Sequence, residues 1–270
     1  MNAPTEPATL AQRLAEAGVE TPDVDARLLL RHVSPPRLDE AIQRRIAREP
    51  LQLILGTAGF RYLELEVHPG VFIPRPETEV LAGEAVSRTP PGGIVVEPCT
   101  GTGAIAIAVA TEARPSAVYA TDISEVAVGV ARRNAKRAAV SVEVVRGDLL
   151  EPLPTRLRGR LDVLVANPPY VTAEEFAELP PEVAHWDPRS ALVAGATGHE
   201  ISDRLILAAP AWLRPGGWLL LETSEHRAGS TAERAAGAGL EAVAIEKDLA
   251  GRERVVLARR PVHAPSPRRA

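Results

Sequence analysis

The fold of this chain is decided by the stretch Gly93-Ile-Val-Val-Glu-Pro-Cys-Thr-Gly-Thr-Gly103, which is followed by Ala104-Ile-Ala-Ile-Ala-Val-Ala110. A short apolar run, two glycines and a run of helix formers predict a buried strand, a tight turn and a helix. This order is typical of a nucleotide-binding β–α turn, because glycine lets the backbone pass close to a ligand. The alternative is an ordinary tight turn, since Ala106 stands where a dinucleotide-binding turn has its third glycine.

Two further strands are predicted to end in residues that suit the same ligand site. Ala117-Val-Tyr-Ala-Thr-Asp122 ends in an acid that can accept both hydroxyls of a ribose. The alternative is that Asp122 caps the next helix. Val142-Glu-Val-Val-Arg146 is followed by Asp148, which can accept from an adenine amino group while the Leu149 backbone N–H meets the ring. The alternative for Asp148 is a common turn aspartate.

A fourth strand, Leu161-Asp-Val-Leu-Val-Ala166, ends in Asn167-Pro168-Pro169-Tyr170. Each proline fixes φ and removes an N–H, so this segment is rigid. It presents two acceptors at a fixed place, the Asn167 side-chain oxygen and the Pro168 carbonyl. Two fixed acceptors can hold both donors of a planar –NH2 group and aim its nitrogen at an electrophile, with Tyr170 as an aromatic wall. The alternative is a Pro-Pro turn that only ends the strand.

Strand and helix alternate from Gly93 onward, which predicts an α/β fold with a doubly wound, mostly parallel sheet. The remaining elements are a helix at about 201–213, a fifth strand at 217–222 and an antiparallel pair at 240–246 and 254–257, making seven strands. Residues 171–195, after the fourth strand, predict a long irregular loop. Loops of that length are usually lids or binding loops, and the alternative is an insertion without function.

The first part of the chain shows a different pattern. Apolar residues recur at helical spacing in residues 9–49 and predict a small helical domain, or alternatively a helical cap on the sheet. Residues 60–67 alternate and predict one arm of a hairpin, with Pro69-Gly70 as its turn and residues 71–73 as the other arm. Thr78 can cap the helix that begins near it. The expected units are residues 1–57 (helical domain), 58–75 (hairpin linker), 76–260 (sheet domain) and 261–270 (a Pro- and Arg-rich tail, expected to be disordered).

Composition narrows the classes of function. A net charge of −4 and a pI of about 5.9 argue against a broadly basic nucleic-acid surface. The single cysteine excludes an internal disulfide and fits a reducing compartment. No apolar run has the length of a membrane span, and the first nine residues lack the apolar core of a signal peptide, so we expect a cytoplasmic protein. No Cys/His cluster has metal spacing, so we expect no metal.

The motifs Cys99-Thr-Gly-Thr-Gly103, Asp122 and Asn167-Pro-Pro-Tyr170, in this order, resemble the class I S-adenosylmethionine-dependent methyltransferases of the amino-methylating group. Within that group, three stretches resemble the peptide-chain-release-factor glutamine methyltransferases, over about residues 8–260. These stretches are Pro50-Leu-Gln-Leu-Ile-Leu-Gly56, Gly70-Val-Phe-Ile-Pro-Arg-Pro-Glu-Thr-Glu79 and Asp248-Leu-Ala-Gly-Arg-Glu-Arg254. The chain departs from the family pattern where Glu97 stands for an aspartate and Cys99 for the first glycine.

The resemblance implies methyl transfer from S-adenosylmethionine to the side-chain amide nitrogen (N5) of the glutamine in the Gly-Gly-Gln loop of class I release factors. It implies that residues 1–57 recognise this partner and that residues 70–79 lie over the cofactor. Separately from the resemblance, we expect a monomer without stable nucleic-acid or membrane binding. The implied catalytic residues are Asn167, Pro168, Pro169 and Tyr170. The implied cofactor-binding residues are Cys99, Thr100, Gly101, Thr102, Gly103, Asp122, Ile123, Asp148, Leu149 and Asn167.

Other functions agree with parts of the sequence. A methyltransferase of the same fold that acts on a nucleobase exocyclic amine, or on another protein's glutamine, would use Asn-Pro-Pro-Tyr equally well. The acidic pI and the Pro-Arg-Pro-Glu-Thr-Glu segment argue against it. The glycine spacing and Asn-Pro-Pro-Tyr argue against a nicotinamide-dependent dehydrogenase. Glu97 and Cys99 keep open a cofactor-binding or scaffolding protein without activity.

Overall fold

The computed structural model describes residues 6–263, so most of the tail expected at 261–270 lies outside the described residues. Four helices come first: α1 (Pro7–Glu16), α2 (Pro22–His32), α3 (Pro35–Ile46) and α4 (Leu51–Leu55). Prolines stand in the first turn of α1, α2 and α3, where the missing N–H costs no helical hydrogen bond. Leu10, Leu14, Leu29 and Ile42 centre a hydrophobic cluster that these helices share. The predicted N-terminal helices are confirmed, and they pack mainly on one another.

A hairpin of β1 (Thr57–Phe60) and β2 (Leu63–Glu66) follows, and here the sequence prediction is wrong. The hairpin turns at Arg61 and Tyr62, because Phe60 pairs with Leu63 and Arg61 has a φ of 52°. Pro69-Gly70 does turn the chain, since the Val71 N–H donates to the His68 carbonyl at 3.1 Å. Residues 71–73, however, belong to none of the strands in the described part of the chain.

The main sheet confirms the predicted seven strands, in the order β10-β11-β9-β6-β3-β4-β5. All neighbours are parallel except that β11 is antiparallel to both β9 and β10. The remaining strands are β3 (Ile94–Pro98), β4 (Ala117–Asp122), β5 (Glu143–Arg146), β6 (Leu161–Ala166), β7 (Val171–Thr172), β8 (Val193–Gly195), β9 (Leu213–Glu222), β10 (Glu241–Lys247) and β11 (Glu253–Arg259).

Helices cover both faces of this sheet, which confirms the doubly wound α/β fold. The remaining helices are α5 (Thr78–Arg88), α6 (Ala104–Glu112), α7 (Glu125–Arg137), α8 (Ala173–Phe176), α9 (Pro181–Ala184), α10 (Arg189–Leu192), α11 (Glu200–Trp212) and α12 (Ala228–Gly237). On one face α5, α6 and α7 pack around Val95 and Val163, and on the other α11 and α12 pack around Val96 and Leu164. None of the helices in residues 6–263 is long and apolar enough to cross a membrane.

Residues 171–195, the lid segment, are more regular than we expected. They contain β7, α8, α9, α10 and β8, and β7 pairs in parallel with β8. Thr172 and Glu175 form a capping box at the start of α8. The expectation of an irregular loop is therefore wrong, because local capping and a small separate sheet give the segment defined structure.

Candidate active site

The site lies at the carboxyl ends of the neighbouring strands β3 and β6, where the order of the sheet reverses direction. Open α/β sheets bind ligands in the crevice at this switch point, because the loops diverge there. A cavity of about 870 Å³ opens at this edge, and it is lined by residues from the ends of β3, β4, β5, β6 and β9. Its volume lies within the range of small-ligand sites.

The glycine turn after β3 is held in a left-handed conformation at Cys99 (φ 59°), Gly101 (φ 56°) and Gly103 (φ 84°). A Cβ on Gly103 would lie 3.0 Å from the Ile107 side chain and 3.2 Å from that of Ala131, so a side chain there would require its neighbours to shift. A Cβ on Gly101 would meet no described atom closer than 3.9 Å, so its bare backbone faces open space in the cavity wall. Cys99 adopts a conformation that costs a residue with a side chain about 1–2 kcal/mol.

Glu97, near the end of β3, is only 2% exposed and forms hydrogen bonds with the glycine turn and with α6. Its Oε2 accepts from the Thr100 hydroxyl at 2.6 Å and from the Ala106 N–H at 2.9 Å, at the amino end of α6. Burial raises the pKa of Glu97 to about 8, although these hydrogen bonds oppose the shift. The departure from the family's aspartate therefore keeps a carboxyl group that holds the turn and the helix together.

Asp122 binds the glycine turn and does not cap α7. Its Oδ2 accepts from the Gly101 N–H and its Oδ1 from the Ser124 N–H, both at 2.9 Å. Ser124 caps α7 instead, because its hydroxyl oxygen accepts from the Ala127 N–H. The capping alternative for Asp122 is therefore wrong. Desolvation raises the pKa of Asp122, while the backbone N–H groups lower it.

Asp148, after β5, carries an ion pair that the sequence did not reveal. Arg204, on α11, donates from Nη2 to Asp148 Oδ2 at 2.7 Å and also lines the cavity. The neighbouring Leu149 has a φ of 47°, and its carbonyl accepts from the Thr121 hydroxyl. No local sequence signal links Arg204 to Asp148, since 56 residues separate them.

Asn167 lies beside buried polar groups that also line the cavity. Its Nδ2 donates to Thr78 Oγ1 at 3.2 Å, so Thr78 contacts the site rather than capping α5. Glu222, at the end of β9, also lines the cavity and is 3% exposed. Burial raises the pKa of Glu222 to about 7, and the nearby Thr78 side chain and Arg254 charge oppose the shift. Burial also raises the pKa of Tyr170.

The structure brings almost all of the predicted site residues to one cavity. Only Gly103 does not line it, since it faces α7. Further lining residues come from the 70–79 stretch, from the lid segment and from the 248–254 stretch, which contributes Arg252 and Arg254.

Sequence reasoning missed Arg204 and Glu222. Glu222 had a usable signal, because it ends an apolar strand in the same way as Asp122. No group of three or more His, Cys, Asp or Glu side chains in residues 6–263 could hold a metal.

Comparison with known proteins shows which class of protein has this fold. The model of the methyltransferase small domain matches residues 64–179. The solved structure of a methyltransferase from Pyrococcus furiosus has a TM-score of 0.57 and 21% identity, and covers 74% of this chain and 89% of that chain. A 16S rRNA N2 G1207 methyltransferase from T. thermophilus, solved with AdoMet and guanosine, has a TM-score of 0.55 and 19% identity over 76% of this chain and 49% of that chain. These likenesses show the fold.

Fold and domain therefore define a class I methyltransferase. A release factor glutamine methyltransferase from Streptomyces coelicolor is 39% identical over 94% of this chain and 97% of the relative. A second, from Mycolicibacterium smegmatis, is 41% identical over 92% of this chain and 94% of the relative. The chain belongs to the release factor glutamine methyltransferase family, which confirms the resemblance and identifies the protein as an enzyme.

Proposed function

We propose that this enzyme transfers a methyl group from S-adenosylmethionine to the side-chain amide nitrogen of the glutamine in the Gly-Gly-Gln loop of class I peptide chain release factors. One observation carries the proposal. The rigid Asn167-Pro168 pair and the glycine turn, with the Asp122 carboxylate bound to it, line a single cavity. The names of the relatives support the substrate, and the contacts of the cavity residues support the chemistry.

The residues at the β3, β4 and β5 ends fit S-adenosylmethionine. The open space at Gly101 leaves room for a ligand against the backbone, and Asp122 offers carboxylate lone pairs beyond those that its two N–H partners occupy. Asp122 would accept from the ribose hydroxyls, Asp148 from the adenine amino group, and Cys99 and Leu149 would border the ring. When bound, the cofactor supplies a methyl group on a sulfonium, which is already activated for transfer.

Asn167 and Pro168 would orient the substrate. The Asn167 Nδ2 is bound to Thr78, which leaves Oδ1 to accept from one N–H of the substrate amide, while the Pro168 carbonyl accepts from the other. An amide nitrogen is a poor nucleophile because its lone pair is delocalised. Two such hydrogen bonds raise its electron density and strengthen as positive charge develops, so they bind the transition state more tightly than the ground state. Tyr170 would form the wall beside the amide.

Orientation supplies much of the rate enhancement in this proposal. Correct placement of two reacting groups can lower a barrier by about 7–11 kcal/mol in ideal cases. The lid segment supports such placement. Asp187, whose side chain is fully buried, accepts from the Ile73 N–H and pairs with Arg75, so it ties the lid to the 70–79 stretch over the cavity.

We further propose that residues 1–57 recognise the release factor and that residues 58–75 link them to the catalytic unit, 76–260. The contacts between the N-terminal helices and the lid segment support this assignment of recognition and catalysis to different parts of the chain. Arg48 donates from Nη2 to Glu182 Oε2 at 2.6 Å, and Arg45 lies 3.4 Å from Glu182 Oε1. A partner bound to the helices would thus contact a unit that is ion-paired to the lid. A cytoplasmic monomer stays our prediction.

Transfer of a labelled methyl group to a purified release factor tests the proposed function. We expect label in the wild-type factor and none in a factor whose Gly-Gly-Gln glutamine is replaced by alanine. A parallel reaction with RNA and DNA in place of the factor tests the nucleobase alternative. Label in the nucleic acid and none in the factor would refute the proposal.

A further inference from the structure

Arg227 joins three parts of the chain at the wall of the cavity. It lies between β9 and α12, and only 13% of its side chain is exposed. Its Nη2 donates to both carboxylate oxygens of Glu175 at 2.9 Å, its Nε to the Thr197 carbonyl at 3.0 Å, and its Nη1 to the Ser224 hydroxyl at 3.1 Å. These partners come from the lid segment, from the loop between β8 and α11, and from the residues that follow β9. One guanidinium group therefore fixes these three segments relative to one another.

Glu175 connects Arg227 to the chain that leaves Asn-Pro-Pro-Tyr. Its Oε2 also accepts from the Thr172 N–H at 2.8 Å, within the capping box of α8. Thr172 belongs to β7, which begins directly after Tyr170 and pairs with β8. A bidentate arginine–carboxylate contact sets the orientation of both groups as well as their distance. Arg227 therefore holds the backbone two residues beyond Tyr170.

Gly198 brings Arg227 close to Tyr170 itself. Gly198 has a φ of 79°. A Cβ on Gly198 would lie 2.6 Å from the Tyr170 carbonyl oxygen, and it would also collide with Nε of Arg227. The space between the Tyr170 carbonyl and the Arg227 guanidinium thus accommodates a glycine and no larger residue. Both the positive φ and the close approach require glycine here.

We propose that Arg227 is a positioning residue for methyl transfer, which together with Gly198 fixes the place of Tyr170 and of the lid segment beside the substrate amide. This inference rests on the proposed function, in which Tyr170 forms the wall beside that amide. Arg227 acts through Tyr170 and Glu175 and not on the reacting atoms. Its loss should therefore lower the rate of transfer while the cofactor residues at the β3, β4 and β5 ends stay in place.

Two glycine substitutions isolate the close approach at Gly198. Gly198→Ala places a Cβ between Arg227 and the Tyr170 carbonyl. Gly239→Ala is the matched control, because Gly239 has a similar φ of 83°, but a Cβ there would meet no described atom within 4 Å. Both variants therefore carry the same backbone strain, and only Gly198→Ala displaces its neighbours. We expect Gly198→Ala to lower kcat about 10- to 100-fold, the scale on which a small misplacement acts, and Gly239→Ala to leave kcat unchanged.

Arg227→Lys and Arg227→Ala provide the second measurement. Lysine keeps the positive charge but lacks the planar fork that binds both oxygens of Glu175. We expect both variants to lose kcat on the same scale, with the affinity for S-adenosylmethionine, measured by calorimetry, within about twofold of the wild type. Because Arg227 acts at the amide rather than at a docking surface, the loss should be equal for the intact release factor and for a short Gly-Gly-Gln peptide. Arg234→Ala is the matched control, since Arg234 forms a surface ion pair with Asp203, and it should leave kcat unchanged.

Equal rates for Gly198→Ala and Gly239→Ala, or wild-type kcat in Arg227→Ala, would overturn the inference. A loss confined to the intact release factor would also overturn it, because Arg227 would then act in docking. If either alanine variant fails to fold, Arg227→Lys decides by the same comparison of kcat with cofactor affinity. Wild-type transfer to the factor serves as the baseline. Its absence would refute the proposed function, and with it this inference, whereas wild-type transfer with indifferent variants would refute the inference alone.

Discussion

Asp122→Ala tests the cofactor site most directly, because Asp122 has two separable roles. In the structure its carboxylate accepts from the Gly101 and Ser124 N–H groups, both at 2.9 Å. In the proposed complex it also accepts from the ribose hydroxyls. The first role predicts a loss of folding stability, and the second predicts a loss of cofactor affinity.

The magnitudes follow from the number and accessibility of these hydrogen bonds. A hydrogen bond to a charged group contributes roughly 1.5–3 kcal/mol, but the Gly101 N–H borders the cavity, so water can replace the lost acceptor there. We therefore expect the free energy of unfolding to fall by about 1.5–3 kcal/mol in total. Leaving the ribose hydroxyls without their acceptor should weaken S-adenosylmethionine binding by about 1–3 kcal/mol, or roughly 5- to 150-fold in Kd.

Calorimetric titration measures the affinity, and denaturant unfolding measures the stability. Asp203→Ala is a matched control, since Asp203, on α11, forms a surface ion pair at 2.8 Å with Arg234, on α12. It should change stability by less than about 1 kcal/mol and leave Kd unchanged. Reduced stability with unchanged Kd would mean that Asp122 only organises the turn. Preferential binding of a nicotinamide nucleotide by the wild type would refute the choice of cofactor.

Three further predictions concern other parts of the molecule. Asn167→Ala should abolish turnover while cofactor affinity, measured by calorimetry, stays within a few-fold; a wild-type rate would refute the role of Asn167. Deletion of residues 1–49 should weaken transfer to the intact release factor far more than transfer to a short Gly-Gly-Gln peptide, and equal losses would limit that segment to stabilising the fold. Glu97 has a folded pKa of about 8, above its ordinary 4.5, so the folded state keeps a proton that the unfolded state loses. Stability should therefore fall as pH rises from about 4.5 to 8, and Glu97→Gln should flatten that part of the stability curve; an unchanged slope would contradict the assignment.

The parallel sheet could be predicted from sequence because of how its strands are buried. Strands covered on both faces appear as continuous apolar runs, and their carboxyl ends meet at one edge. The predicted runs at 117–122 and 161–166 match β4 and β6 to the residue. Once these runs were placed, Asp122 and Asn167 had to lie at the same edge of the sheet.

The hairpin could not be located in this way, because its turn is fixed by distant residues. Arg61 adopts a positive φ without the help of glycine or asparagine. Its backbone N–H donates to Glu79, and its guanidinium binds Glu112, which lies 51 residues further along the chain. Pro69-Gly70 carried the stronger local turn signal, so pattern reasoning chose that turn. The single-turn helices of the lid segment were missed for a related reason, since helices this short depend on their surroundings rather than on their own propensity.

Three acids that end apolar strands show where sequence reasoning stops. Glu97, Asp122 and Glu222 occur in the same local pattern, and any of them could be predicted to bind a ligand. Their surroundings assign them different roles. Glu97 meets an N–H of α6 and the Thr100 hydroxyl, Asp122 meets an N–H of the glycine turn, and Glu222 lies buried in the cavity wall. Because these surroundings come from elements that only the folded chain brings together, the strand pattern identifies the candidates, and their contacts distinguish their roles.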